Sequence, residues 1–189
     1  MSKIFYTADL HLGHANIIKY CNRPFKDVDQ MNETLIRNWN SRVKPDDTVI
    51  HNGDFCFKNT PGGKEGEGTV GVSAQEWLKK LNGHIVFVRG NHDRGNSLNT
   101  HIEKLYIRYG GIDICVVHRP EDCDRNMKYN FVGHVHNEWA FQKRDEAGSE
   151  IFLINVGVDC WNFMPATLEE IMKGLKKWQL GRGVGKQLN

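Results

Sequence analysis

The sequence predicts a mixed α/β (α+β) fold built on β-sheet, and three observations carry that expectation. Short runs rich in β-branched and aromatic residues stop abruptly at polar, glycine-punctuated segments; residues at helical spacing separate the early runs; and later runs follow one another with no helix between them. Residues 3–8 (KIFYTA) predict the first strand, ending at DLHLGH. Between 28 and 43, Met31, Leu35, Ile36 and Trp39 recur at helical spacing, with Pro45 as a stop. Residues 47–51 (DTVIH) predict a second strand, ending at Asn52-Gly53-Asp54. Residues 60–73 are glycine-rich and lack large apolar side chains, which predicts a mobile surface loop, and 74–81 predict a short helix. The third strand, 84–88 (HIVFV), opens onto Arg89-Gly90-Asn91-His92-Asp93, and the next, 112–117 (IDICVV), opens onto His118. The same grammar recurs at 131–136 (FVGHVH), and 151–156 (IFLINV) predicts the last strand. Leu168, Ile171, Met172, Leu175 and Trp178 give a closing helix over 167–178. Residues 1–180 are expected to form one domain and 181–189 a flexible tail.

The chain has 189 residues, 25 Lys+Arg against 23 Asp+Glu, and a hydrophobic fraction of 39%, enough for one ordinary core. A near-balanced charge spread over the whole chain predicts no stable grip on duplex nucleic acid and no attachment to an anionic membrane. No apolar run reaches the roughly 18 to 20 residues of a spanning helix. Residues 1–10 lack the features of a signal peptide, so the expectation is a cytoplasmic protein. The five cysteines are widely spaced and form no C-x-x-C, which fits reduced bystanders better than a disulfide framework. Oligomeric state is not legible in such a sequence.

The histidines say more. Asp9, His11, Asp54, Asn91, His92, Asp93, His118, His134 and His136 lie just past the ends of five predicted strands, the edge where α/β sheets gather their sites. Singly, Asp9-x-His11 reads as well as an Asx turn or helix cap, and Gly53-Asp54 as an ordinary turn. Gly90-Asn91-His92-Asp93 and Gly133-His134-x-His136 are stronger, because each sets several potential ligands on a tight turn. Convergence of imidazoles and carboxylates without thiolate points to metal, and so many ligands suit two ions better than one tetrahedral ion. The donor set favours Mn²⁺, Fe, Zn²⁺, Ni²⁺ or Co²⁺ over a structural thiolate-type zinc site.

In this order, D-x-H, G-D, G-N-H-D, H and G-H-x-H resemble the motifs of the calcineurin-like dinuclear metallophosphoesterases, over roughly residues 3–160. The resemblance implies two mixed β-sheets packed face to face and flanked by helices, a four-layer sandwich. It implies that Asp9, His11, Asp54 and His136 hold one ion and Asp54, Asn91, His118 and His134 a second, with Asp54 bridging. Both would be divalent transition-metal ions, Mn²⁺ foremost. Two such ions, two carboxylates and a bridging hydroxide leave the centre about one positive charge, which attracts a phosphate oxygen. By the family pattern His92 is the proton donor to the leaving alkoxide and Asp93 orients its ring.

The function so implied is hydrolysis of a small phosphodiester or phosphomonoester, nucleotide-like by preference, through in-line attack of the bridging hydroxide. The alternatives are a scaffold that keeps the fold without chemistry, and a nuclease acting on short single-stranded nucleic acid. Gly53-Asp54 is followed by Phe55-Cys56-Phe57, which departs from the protein serine/threonine phosphatases of the superfamily, and 189 residues leave no room for the extra domains of its larger nucleases. His14, Asn16 and Arg23 lie just after the first loop and are candidates for the substrate side; a helix cap for Asn16 and a surface ion pair for Arg23 are the competing readings. His51, His84 and His101 lack a partner motif and read as structural.

Overall fold

The computed structural model describes residues 2–57, 72–95, 97–98, 100–146 and 148–181. All of the expected tail after Gly181, and most of the glycine-rich loop, lie outside these. The elements are β1 (Ile4–Thr7), α1 (Ala15–Tyr20), α2 (Val28–Arg42), β2 (Thr48–Asn52), α3 (Ala74–Leu78), β3 (His84–Val88), β4 (Lys104–Tyr109), β5 (Ile112–Val117), β6 (Tyr129–Val132), β7 (Phe141–Glu146), β8 (Ser149–Asn155), β9 (Ala166–Thr167) and α4 (Leu168–Gln179). They form two mixed sheets, β3-β2-β1-β9 and β4-β5-β6-β8-β7. In the first, β1, β2 and β3 are parallel and β9 is antiparallel. In the second, β5, β6 and β8 are parallel, while β4 and β7 are antiparallel edges.

Strand alternation builds the layers. Phe5 and Val49 point one way, into a core shared with Met31, Leu35 and Trp39 of α2 and Trp77 of α3. Tyr6 and Ile50 point the other way and meet Ile114 and Val116 of β5, Phe131 of β6 and Ile154 of β8. Tyr6 and Phe131 pack edge to face, with ring centroids 4.9 Å apart. α4 adds Leu168, Ile171 and Leu175 to this inter-sheet core. The outer face of the five-stranded sheet carries a thinner cover, in which Trp139 and Met127 lie over Cys115, Val117 and Val132.

Local chemistry places the helices. Asp27 caps α2 by accepting from Gln30 N, and both α3 and α4 begin with reciprocal capping boxes, Ser73 with Glu76 and Thr167 with Glu170. Four elements were not expected from the sequence: α1, the edge strands β4 and β7, and β9, which lies beyond the strand expected to be the last. Among the described residues no helix is long and apolar enough to cross a membrane.

Candidate metal centre

The parallel strands all point their C-terminal ends at one place. From the four-stranded sheet come Asp9 and His11 after β1, Asp54 after β2, and Asn91 and His92 after β3; from the other come His118 after β5 and His134 and His136 after β6. The structure brings the seven expected ligands together. Ligand atoms of Asp9, His11 and His136 lie within 4.8 Å of one another, and so do those of Asp54, His118 and His134. Asp54 stands between the two groups, with its Oδ2 3.5 Å from His11 Nε2 and 3.3 Å from His118 Nε2. Asn91 Oδ1 lies 3.1 Å from His118 Nε2.

Backbone geometry is set for this convergence. Asp9, His11, Asp54, His134 and His136 all have positive φ, between 46° and 71°. Non-glycine residues pay for that conformation, and such strain concentrates at functional sites. Neighbouring loops hold the strained turns. Asp9 N donates to Gly53 O and His11 N to Asp54 O, while His134 N donates to the Asp9 carboxylate. Glycine is required at close approaches: a Cβ on Gly90 would stand 2.2 Å from Asp54 Oδ1, and one on Gly53, at φ +87°, would stand 2.4 Å from His118 Nδ1.

The donor set fits divalent metal. His11 is buried and its Nε2 has no hydrogen-bond partner among the described residues, beside two carboxylates. An imidazole nitrogen left so at this cost is explained by coordination. The other rings are oriented from behind. His118 Nδ1 bonds Asn52 O at 2.8 Å, leaving Nε2 for the cluster, and His136 Nδ1 meets Asp159 Oδ2 at 3.2 Å. Partners of this kind fix the tautomer and direction of a ligating histidine.

The electrostatics of the cluster favour positive charge at its centre. Burial disfavours charge on His118, but the Asp54 and Asp9 carboxylates outweigh it and hold the imidazole up to about 9. Burial likewise opposes charge on His136, and Asp159 with Cys21 and Asp9 raises it to about 10. His11 is driven well down by burial, and burial pushes Asp9 up to about 6. Asp54, also buried, is nevertheless held low by His118 and His11. The carboxylates thus recruit positive charge in whatever form is at hand.

His92 is exposed, and its ring centroid lies 5.3 Å from that of His11. His14 is near it: the ring is buried, stacks on Phe57 at 4.6 Å, and lies 5.5 Å from His11 and 6.3 Å from His92. Asn16 sits half-buried in the first turn of α1, where His14, not Asn16, is the cap residue, and its side chain makes no hydrogen bond with a described residue.

Two expectations are corrected. Arg23 neither faces substrate nor makes a surface pair. It is 4% exposed, forms a two-pronged pair with Asp159 at 2.8 and 2.9 Å, and donates to Asp9 O and Leu10 O. With its fifth N–H on Met31 Sδ, no donor is left for a ligand, and the guanidinium instead braces the first site loop and the carboxylate behind His136. Asp93 does not point its carboxylate at the His92 ring as expected. Its two oxygens accept the backbone N–H groups of Asp54, Phe55 and Gly90, so it clamps two site loops together. Sequence reasoning missed Asp159, Asn52 and Asn155. Asn52 Nδ2 donates to Val117 O and Phe131 O across the sheets, and Asn155 Nδ2 donates to His136 O. Their signal was faint: Asn52 and Asn155 are single amides closing β2 and β8, and Asp159 is a lone carboxylate in the turn after β8.

All five cysteines are free thiols, as expected, and all five are buried. Cys21 is more than a bystander by position, since it shares a second ligand-distance group with His136 and Asp159. His51 is fully buried between Phe55 and Phe87, and burial lowers it to about 4, so it is a neutral core residue.

This fold, with mixed oxygen and nitrogen ligands gathered at its strand ends, defines a metal-centred phosphoesterase architecture. The model of the calcineurin-like phosphoesterases matches residues 2–178, and the chain belongs to that family. An uncharacterised protein of Methanocaldococcus jannaschii is 38% identical over 189 residues, covering 97% of both chains. Gene 66 protein of Mycobacterium phage L5 is 32% identical over 109 residues, 58% of this chain and 48% of its own. A solved protein of unknown function from Aquifex aeolicus superposes with TM-score 0.63 at 24% identity, covering 92% of this chain and 99% of that one, which extends the likeness to the fold. Membership of the family implies divalent metal ions, and the two ligand groups are where they would sit.

Proposed function

We propose that this protein is a metal-dependent hydrolase of small phosphoesters, a diester or monoester with a nucleotide-like group. The observation that carries the reading is the pair of ligand groups meeting at Asp54, with the exposed His92 imidazole beside them. Asp9, His11, Asp54 and His136 would hold one ion, and Asp54, Asn91, His118 and His134 the other, with Mn²⁺ the favoured species and Fe, Zn²⁺, Ni²⁺ or Co²⁺ able to substitute. When bound, divalent ions would supply Lewis acidity there, activating water for attack and neutralising charge on the ester oxygens.

The chain's own residues do the rest. Asn52 and Asp159 aim the His118 and His136 rings, Asp93 and Gly90 let the Asp54 loop close on its neighbours, and His92, free to reach solvent, gives its proton to the departing oxygen. His14 lies where it would touch the leaving group. A scaffold without chemistry has no need of a buried His11 Nε2 that makes no hydrogen bond with a described residue, which argues against that alternative. Five reduced, buried cysteines suit a cytoplasmic setting.

The test is metal removal. Chelated protein should be inactive on phosphoesters and should recover with Mn²⁺, Ni²⁺ or Co²⁺ better than with Mg²⁺, which prefers all-oxygen ligands. Asp54→Asn should lower metal content from two ions towards one and abolish turnover. Full activity in chelator would remove the reading.

A further inference from the structure

Beside the second ligand group opens a cleft of about 450 Å³, a size suited to a nucleotide-sized ligand. Gly90, Asn91 and His118 form its inner end, and Arg89 and Arg94 from the segment after β3 and Arg119 from the segment after β5 converge on it. The three arginines differ in how far they are engaged. Arg89 is paired with Glu103. Arg119 meets Glu121 at 3.4 Å across two exposed side chains, a contact that leaves most of its donors open. Arg94 is exposed and forms no ion pair with a described residue.

Glu103 and Asp122 are the acids of the lining, so its side chains carry a net positive charge, with Arg94 and Arg119 the two guanidinium forks open to a ligand. Val117 is the one aliphatic side chain among the described residues there, so the cleft offers little to an apolar group. Guanidinium forks in that position match phosphate oxygens in geometry and charge. His92 does not line the cleft. Its ring lies towards His11 and His14, by the first ligand group, whereas the cleft leaves from the second.

We propose that this cleft binds a second phosphate, carried on the part of the ester that stays attached to phosphorus, so that the substrate class is a phosphodiester whose retained arm is itself phosphorylated. The inference rests on the phosphoesterase reading of the metal centre. In the reaction water adds across one P–O bond: a P–OH bond forms, the bond to the leaving oxygen breaks, and that oxygen departs as an alcohol with the proton delivered by His92. The retained arm, with its second phosphate, stays between Arg94 and Arg119 as part of a phosphomonoester product.

Two esters with the same p-nitrophenolate leaving group isolate the effect: thymidine 5′-(p-nitrophenyl phosphate) and its 3′-phosphorylated counterpart, with Mn²⁺-loaded protein. kcat/KM should be about tenfold or more higher for the 3′-phosphorylated ester, the scale of one charge-assisted contact. In Arg94→Gln/Arg119→Gln the ratio should fall towards one, and in each single variant it should fall part of the way, while Arg37→Gln, which like each single variant removes one positive charge but from α2 outside the cleft, should keep it. Both cleft arginines are exposed, so the variants should fold. In parallel, calorimetry should show thymidine 3′,5′-bisphosphate binding the loaded protein more tightly than thymidine 5′-phosphate, and the difference should vanish in the double variant. A wild-type ratio near one, a preference that survives loss of both arginines, or equal binding of the two nucleotides overturns the cleft. Absence of turnover on both esters with the binding difference intact would instead overturn the phosphoesterase reading and leave the cleft standing.

Discussion

His92 and Arg23 are both polar residues near the first metal loop, yet burial gives them opposite parts. His92 is exposed beside the ligands, so its substitution should touch chemistry and not assembly. His92→Ala is expected to keep both metals and to lower kcat by roughly 10² to 10⁴ for esters with poor alkoxide leaving groups, with a smaller loss for a nitrophenyl ester whose leaving group needs little protonation. Equal loss across a leaving-group series would take the acid role away from it. Arg23, by contrast, is bonded to Asp159 through two prongs with both side chains almost wholly buried. Arg23→Met leaves the Asp159 carboxylate in the interior without its main partner, and should cost about 3–5 kcal/mol. For a chain of this size that is a fall in Tm of roughly 6 to 20 °C. A thermal melt within a degree of wild type would show that the pair braces nothing.

At the scale of elements, what could be read in the sequence was what hydrophobic pattern and motif encode. β3 and β5 match the predicted spans, and α2 and α4 fall within a residue or two of theirs, because their apolar residues keep one periodicity and strong stops bound them. β7 escaped because FQKRDE is polar except for Phe141: it is an edge strand held by pairing with β8, and its side chains carry no core signal. β4 does alternate, Leu105 and Ile107 against Tyr106 and Arg108, but it too is an edge, half exposed. β9 is two residues long, fixed only by its antiparallel contact with β1, and α1 has six residues with Ile17 its only buried side chain. The candidate ligands were legible because each follows the end of a predicted strand and all but the lone His118 sit on a short motif. Arg23, Asp93 and Asp159 were not, since their roles depend on which loops lie next to one another in space. Gly90 shows the same dependence and offers a test of it. Its Cα faces Asp54 so closely that Gly90→Ala must displace either the Asp54 backbone or its carboxylate. Metal affinity should fall by about 10- to 100-fold, the scale of lost support behind a ligand. Metal analysis showing two ions retained with unchanged affinity would mean that the β2 and β3 loops can separate without disturbing the centre.

For the whole molecule, each ligand group draws on both sheets: Asp9 and His11 of one with His136 of the other, and Asp54 of one with His118 and His134 of the other. Metal bound here would tie the sheets together at the open ends of their strands, so ligation and folding are linked. The link depends on pH, and its sign follows from the imidazoles. Without metal, the His118 and His136 values, about 9 and about 10, lie above the ordinary histidine value near 6.5, so both rings are protonated at neutral pH. Their attraction to the carboxylates therefore stabilises the metal-free fold fully below about pH 6.5, and that contribution is lost as pH rises through 9 to 10. Metal needs the same nitrogens neutral, so its binding must expel protons and tighten as pH rises over this range. Asp9, pushed up to about 6 by burial, adds to the trend at its lower end, since it too must be ionised to ligate. The gap in Tm between Mn²⁺-loaded and metal-free protein should accordingly widen from pH 6 to pH 8.5. Calorimetric titration with Mn²⁺ at pH 7.5, in buffers of different ionisation enthalpy, should report net proton release. A gap that narrows with pH, or heats that do not depend on the buffer, would mean that His118 and His136 are already neutral before metal arrives and that the carboxylates do not hold them charged.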